Sequence, residues 1–251
     1  MSPVALVTGG AKRIGRAISL RLAQEGYAVA VHCRHSRAEA TDLEAAIVRG
    51  GGRAAIFEVD LGDADSLAGL VTDVAAALGP LTLLVNNASL FEADEVHDLT
   101  ADLWDRHFAI NLRAAVFLAR DFARQVPDSG EGAVINIIDQ RVWKPTPQFF
   151  SYTLSKAALF MATRTMAQAL APRIRVNAVG PGPTLTSPRQ NPDDFARQAE
   201  ALLLGHGPTP EDIAEAVAFL AKARSVTGQM LAVDGGQHLA WQTPDIVGVT
   251  E

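Results

Sequence analysis

The feature that most constrains this chain is a rhythm. Seven short apolar runs alternate with longer amphipathic stretches along its whole length. The runs are Val4–Val7, Tyr27–His32, Ala54–Val59, Leu81–Val85, Ala133–Ile138, Ile174–Val179 and Gln229–Val233. Each is nearly continuous in apolar residues rather than strictly alternating. That is the pattern of strands covered on both faces. Between the runs, apolar residues recur at helical spacing over Arg13–Gln24, Ala38–Arg49, Asp65–Leu78, Ala101–Gln125, Tyr152–Leu170 and Glu211–Lys222. Gly26 suits the end of the first helix, Pro172 the end of the fifth, and Asp63 or Asp65 the start of the third. Strand–helix alternation of this kind predicts an α/β chain with a doubly wound parallel sheet of about seven strands and helices on both faces.

The length, 251 residues, allows one domain or two at about 150 residues each. Twenty-two basic and 28 acidic side chains leave a formal charge of −6, with no basic run. A nucleic-acid partner is therefore not expected. No apolar stretch reaches membrane-spanning length, and the first residues do not read as a signal peptide. Cys33 is the only cysteine, which excludes an internal disulfide and fits a reducing, cytoplasmic setting. One region breaks the rhythm. Residues 180–210 hold six prolines, including Pro188, and predict a mobile substrate loop with a short helix near Asp193–Leu204. Residues 235–251 form a C-terminal tail, in which Trp241 is expected to pack on the surface.

The first run leads into Thr8-Gly9-Gly10-Ala11-Lys12-Arg13-Ile14-Gly15. A glycine turn between strand and helix lets backbone approach a pyrophosphate, and the helix start offers free N–H groups. The second run ends in His32-Cys33-Arg34-His35-Ser36, with no acid to hold a ribose 2′-OH. Arg13, Arg34, His35 and Ser36 instead offer charge and donors to a 2′-phosphate, so the expected cofactor is NADPH/NADP. Cys33 at this strand end is read as bearing on NADPH placement. Asp60-Leu61 follows the third run, where an adenine would lie, and Asn86-Asn87-Ala88-Ser89 follows the fourth. The asparagines read equally well as backbone braces and as ligand contacts. No His, Cys and carboxylate set has metal-ligand spacing, so no metal is expected.

Tyr152 and Lys156 lie four residues apart at the start of a helix and share a face. A lysine cation there is expected to stabilise a phenolate and lower the tyrosine pKa. Such a tyrosine can give a proton while a hydride arrives from a nicotinamide.

With these motifs in place, the chain resembles the short-chain dehydrogenase/reductases over essentially its full length. The resemblance rests on Thr8-Gly9 to Gly15, Asp60, Asn86-Asn87-Ala88, Asn111, Tyr152 with Lys156, Pro181-Gly182 and Asp234-Gly235-Gly236. It implies one Rossmann-type domain spanning 1–251, nicotinamide-dependent oxidoreduction and a homotetramer or homodimer, the tetramer being the expectation here. It implies that Asn111 supports a water-linked relay to Lys156, which holds the nicotinamide ribose. It also extends the cofactor set to Gly9, Arg13, Ile14, Gly15, His32, Asp60, Leu61, Asn87, Ala88, Ser89, Pro181, Gly182 and Thr184.

Two departures narrow the reading. Arg13 stands where the family usually has glycine, and Asp139 stands thirteen residues before Tyr152 where the family usually has serine. A carboxylate would repel the negative oxygen of a reduced ketone. For a C=N bond it can instead hold the proton that the nitrogen gains. Both departures are similar to the pteridine reductases and bacterial dihydromonapterin reductases, which also resemble this chain at His32–Ser36. In that branch the counterpart of Phe91 stacks a pterin, and Arg13 would touch both cofactor and substrate. The expected reaction is NADPH-dependent reduction of a dihydropterin or dihydrofolate C=N bond by Asp139, Tyr152, Lys156 and Asn111. Alternatives are a carbonyl reductase for a 3-oxoacyl thioester or small ketone, and a non-enzymatic NADPH-binding regulator. Asp139 also reads as a plain cap on the turn after the fifth strand.

Overall fold

The computed structural model describes residues 2–186, 191–243 and 246–247. Seven parallel strands form one sheet: β1 (Val4–Val7), β2 (Ala28–Cys33), β3 (Ala54–Glu58), β4 (Leu81–Asn86), β5 (Gly132–Ile137), β6 (Ile174–Pro181) and β7 (Met230–Val233). Their spatial order is β3-β2-β1-β4-β5-β6-β7. The order reverses at β1, so helices leave β1 and β4 to opposite faces and a crevice opens at their carboxyl ends.

Successive residues of each strand feed opposite layers. Ala5, Val7, Val29 and Val31 pack against Ile18 and Leu22 of α1 (Arg13–Gln24), Leu43 of α2 (Arg37–Arg49) and Val217 of α9 (Pro210–Lys222). Val4, Leu6, Ala28 and Ala30 pack on the other side. There they meet Leu67 of α3 (Ala64–Leu67), Val74 of α4 (Leu70–Leu78), Leu118 and Phe122 of α6 (Ala114–Gln125), and Ala167 of α7 (Phe150–Leu170). All four β1 residues are buried, which explains their unbroken apolar run.

Several expectations change. The single helix over 65–78 is two, α3 and α4, separated at Ala68 and Gly69. Asp63 is the cap, accepting from Asp65 N–H and Ser66 N–H. The stretch 101–125 is α5 (Ala101–Phe108), a π-helical turn over Ala109–Arg113, and α6. Such single π turns are common at functional sites, and this one carries Asn111. Within 180–210 the helix α8 runs Pro192–Glu200, capped by Asn191, while Pro188 lies outside the described residues. Trp241 is exposed rather than packed. Cys33 points into the core beside Ala40 and Leu43 rather than toward the cofactor end, so its expected bearing on NADPH placement is withdrawn. No helix among the described residues is long and apolar enough to cross a membrane.

A buried polar ladder ties the sheet to α7. Asn86 Nδ2 donates to Asn136 Oδ1 (2.8 Å), Asn136 Nδ2 donates to Thr163 Oγ1 (2.8 Å), and Thr163 Oγ1 donates to Leu159 O (2.9 Å). Removing the middle rung strands two buried partners, which costs about 1–3 kcal/mol. Asn136→Ala is expected to lower the unfolding free energy by about that amount in urea titrations, with the slope unchanged.

Candidate active site

The glycine turn is held from three sides. Thr8 Oγ1 accepts from Asn87 N–H (2.9 Å) and Ala88 N–H (3.0 Å). Asn87 Nδ2 donates to Thr8 O (2.9 Å) and Gly9 O (3.1 Å), so Asn87 is a brace. His32 closes the third side: Nδ1 accepts from Gly9 N–H (3.0 Å) and Nε2 meets Val59 O (3.0 Å). A carbonyl can only accept, so Nε2 carries the hydrogen and the ring is neutral. Burial also pushes the His32 pKa down. His32 thus joins β2, β3 and the turn, a role its place in the sequence did not show.

Gly9 has φ +60°, which suits glycine. A Cβ on Gly15 would lie 2.1 Å from Gly9 O, so the turn closes only over glycine. Arg13 is left-handed at φ +52° without being glycine. Its guanidinium donates to Leu185 O (3.3 Å) and Thr186 O (3.1 Å), reaching across to the 180–210 loop.

A cavity of about 390 Å³ lies over this turn. It brings together Gly9, Arg13, Ile14, Gly15, His32, Arg34, Asp60, Leu61, Asn87, Ala88 and Ser89. It also has Lys12 of the glycine turn and Leu90 on its walls, together with Ile110, which no sequence motif included. Arg34 Nε pairs with Asp60 Oδ2 at 3.1 Å, both partly exposed. His35 is exposed and Ser36 is buried at the start of α2, and neither lines the cavity. Pro181, Gly182 and Thr184 also lie off its walls, at the end of β6. A second opening of about 670 Å³ between α6 and α7, beside Arg120, Met166 and Arg173, shares no wall with the first.

At the other end of the crevice, Tyr152 Oη–H donates to Asp139 Oδ2 (2.9 Å). Asp139 Oδ1 accepts from Arg141 N–H (2.9 Å), so the same side chain caps the turn Gln140–Val142. The cap reading and the phenol contact both hold. Lys156 is buried, donates to Ile137 O (2.8 Å), and its Nζ stands 5.8 Å from the Tyr152 ring centroid.

Burial dominates this cluster. It raises the Asp139 carboxyl pKa, against the pull of Arg141, Tyr152 and Lys156. It lowers Lys156 to about 8, with Asp139 pushing the other way. Burial and Asp139 push the Tyr152 phenol well above its ordinary value, opposed by Arg141 and Ser89. The expected lowering of the tyrosine pKa by Lys156 is therefore corrected. The nearest charge is the carboxyl of Asp139, and the ammonium is turned to a carbonyl.

Asn111 spends its side chain on the segment after β4. Oδ1 accepts from Leu90 N–H (2.8 Å) and Ser89 Oγ–H (3.2 Å). Nδ2 donates to Leu90 O (3.0 Å) and Ser155 Oγ (3.0 Å). That segment delivers Phe91, whose ring stacks on Phe149 (4.3 Å, 7°) and meets Tyr152 edge-on (4.7 Å, 75°). Arg141 lies over the other partner's ring, 5.1 Å from the Phe149 centroid. Phe149 had no motif of its own. Its left-handed φ of +57° leaves no mark in residue type.

A family model described as Enoyl-(Acyl carrier protein) reductase matches residues 9–238. A short-chain type dehydrogenase/reductase from Picea abies is 34% identical over 93% of this chain and 92% of its own. The chain belongs to the short-chain dehydrogenase/reductase family of oxidoreductases. Within it, the chain is similar to the FolM alternative dihydrofolate reductase 1 of Brucella canis, solved in complex with NADP. The two share 54% identity, with 98% of this chain and 97% of that one covered and a TM-score of 0.94. The 3-oxoacyl-[acyl-carrier-protein] reductase FabG of Staphylococcus aureus is more distant, at 32% identity over 95% of this chain and 99% of its own.

A neutral His32 has a pH signature. Its folded pKa lies below the ordinary 6.5, so the unfolded chain binds the extra proton first. Its contribution to stability is complete above 6.5 and is lost as pH falls below it. Unfolding free energies of the protein and of His32→Gln, compared from pH 8 down to about 5, are expected to converge on the acid side.

Proposed function

We propose that this chain is an NADPH-dependent reductase of a dihydropterin or dihydrofolate C=N bond. The observation that carries this reading is the Tyr152–Asp139 hydrogen bond at the foot of the Phe91 and Phe149 stack. A pair built this way suits a nitrogen that gains a proton and a substrate that is flat.

The cavity residues fit a dinucleotide. Gly15 leaves room only for backbone at the turn, and Gly9 supplies its left-handed φ. No side chain caps the start of α1, so its first N–H groups and positive dipole end are available to a pyrophosphate. Arg34, with Arg13 nearby, supplies a cation for a 2′-phosphate, and no acid occupies the end of β2. NADP in the Brucella canis relative supports the same choice here. When bound, this cofactor supplies the hydride.

The protein's own residues supply the proton and the frame. Phe91, 38% exposed, offers a ring face against which a flat heterocycle can stack. Tyr152 and Asp139 hold one transferable proton between Oη and Oδ2 for the ring nitrogen. Burial keeps that proton in place near neutral pH, because it raises both groups. Positioned acid catalysis of this kind contributes about 10²–10⁴ in rate. Lys156, its Nζ 5.8 Å from the Tyr152 ring centroid, places a positive charge beside the pair, and Asn111 fixes the segment that presents Phe91. Arg13 would leave the Leu185 and Thr186 carbonyls to meet substrate. A homotetramer or homodimer is what the family resemblance implies, and a cytoplasmic setting accords with the single buried thiol.

The FabG relative favours a second reading, a 3-oxoacyl ketone reductase. Asp139 separates the two. With NADPH, the protein is expected to turn over at least one of dihydrobiopterin, dihydromonapterin and dihydrofolate, and to work less well with NADH. Asp139→Ser is expected to lower that kcat by about 10²-fold or more. No pterin or folate turnover by the folded protein, together with ketone reduction that Asp139→Ser leaves intact or improves, would favour the ketone reading instead.

A further inference from the structure

Helix α7 carries both Tyr152 and Lys156, yet it begins without a cap of its own. Phe149, the residue before it, is left-handed and offers no side-chain acceptor. The first N–H groups of a helix need partners from somewhere. Here they come from Asp94, in the segment after β4. The Asp94 main-chain oxygen accepts from Phe150 N–H (3.1 Å). Its carboxylate accepts from Ser151 N–H at 3.2 and 3.3 Å, and from the Ser151 hydroxyl.

His107 of α5 completes the arrangement. Its Nε2 accepts from Glu92 N–H (3.3 Å), and its Nδ1 is 2.6 Å from Ser151 Oγ. An amide N–H can only donate, so Nε2 is bare and Nδ1 carries the hydrogen. His107 therefore donates to Ser151, which donates to Asp94. His107 and Ser151 are fully buried and Asp94 is 4% exposed.

This brace joins the segment after β4 to the first turn of α7, a turn before the point where Asn111 bonds Ser155. Phe91 lies just before Glu92 and Asp94, while Ser151 immediately precedes Tyr152. The His107 ring stands edge-on to the Tyr152 ring with centroids 6.0 Å apart, and the brace's hydrogen bonds run to Ser151 and Glu92 rather than to the phenol oxygen. Tyr152 is in the first turn of α7 and moves first if that turn frays; Lys156 is a turn further in.

We propose that Asp94 is a positioning residue for Tyr152. From the segment that carries Phe91, and through Ser151 and His107, it caps α7, holding the phenol on Asp139 at a set spacing from the aromatic wall. This rests on the reading of Tyr152 as part of the proton source.

The chain has two tyrosines, so Tyr27→Phe leaves Tyr152 as its only phenol. In that background, phenolate absorbance reports Tyr152 directly, whatever the substrate. The groups facing the phenol are Asp139, Lys156, Arg141 and Ser89, with His107 beside the ring. The parent midpoint is expected above 10, held there by burial and by Asp139. Asp94→Ala is expected to bring it down by about one unit, a tenfold change in proton affinity. It is also expected to lower kcat by about 10–100-fold, the scale of an ångström-sized misplacement, with NADPH affinity unchanged. Asp94→Asn keeps an acceptor for Ser151 N–H and is expected to restore most of both. If Asp94→Ala does not fold, Ser151→Ala removes only the linking hydroxyl and is expected to shift the midpoint the same way by less. A midpoint unmoved in the folded variants overturns the proposal. So does a kcat loss matched by equal loss of NADPH affinity, or an Asp94→Asn no better than Asp94→Ala. If the parent turns over no pterin or folate, the functional reading fails while the titration still decides the role of Asp94.

Discussion

The structure depends on the reversal of strand order at β1. Because β2 leaves on one side and β4 on the other, the carboxyl ends of β1 and β4 cannot both be covered by their own helices. The open space is then stabilised rather than filled. Thr8 accepts two N–H groups from the end of β4, Asn87 returns two donors to the turn, and His32 brings in the end of β3. These bonds fix the distance between the glycine turn and the segment that continues to Ser89, Leu90 and Phe91. Asn111 then holds that segment through three hydrogen bonds and ties it to Ser155 of α7 through a fourth, and its π-helical turn is the local departure that brings the amide within reach.

Desolvation sets the chemistry of the reactive end more than any single charge. Tyr152 and Lys156 are buried beside a carboxyl, and burial penalises every charged form among them. The least costly arrangement keeps the phenol protonated, raises the acid and lowers the amine. A serine at position 139 would leave the phenol without its strongest acceptor. The departure at this position therefore changes what the neighbouring tyrosine can hold, not merely which hydroxyl points at substrate.

Much of the fold was legible because the sheet is buried on both faces. The strand bounds differ from the apolar runs by a residue or two, and α1 matches its periodic stretch. What the sequence pattern missed was decided by contacts between distant segments. The break at Gly69 and the π turn at Ala109–Arg113 interrupt patterns that remain amphipathic through the break. Cys33 follows His32, so strand alternation turns it into the core. The residues that the structure gathers round the cavity and round Tyr152 were largely visible as motifs. Their electrostatic state was not, since the sign of the Tyr152 shift depends on which of Asp139 and Lys156 lies at the phenol oxygen. Phe149, Asp94, Ser151 and His107 carry no motif; tertiary hydrogen bonds and one left-handed backbone angle give them their places.

The central claim is that the Tyr152–Asp139 pair and the aromatic wall together receive a flat C=N substrate. A structure of the protein with NADP and a dihydropterin tests this most directly. The account predicts the heterocycle stacked on Phe91, with a ring nitrogen within hydrogen-bond distance, about 3 Å, of Tyr152 Oη or Asp139 Oδ2. A heterocycle seated elsewhere, or one presenting only carbonyl oxygen to that pair, would contradict it.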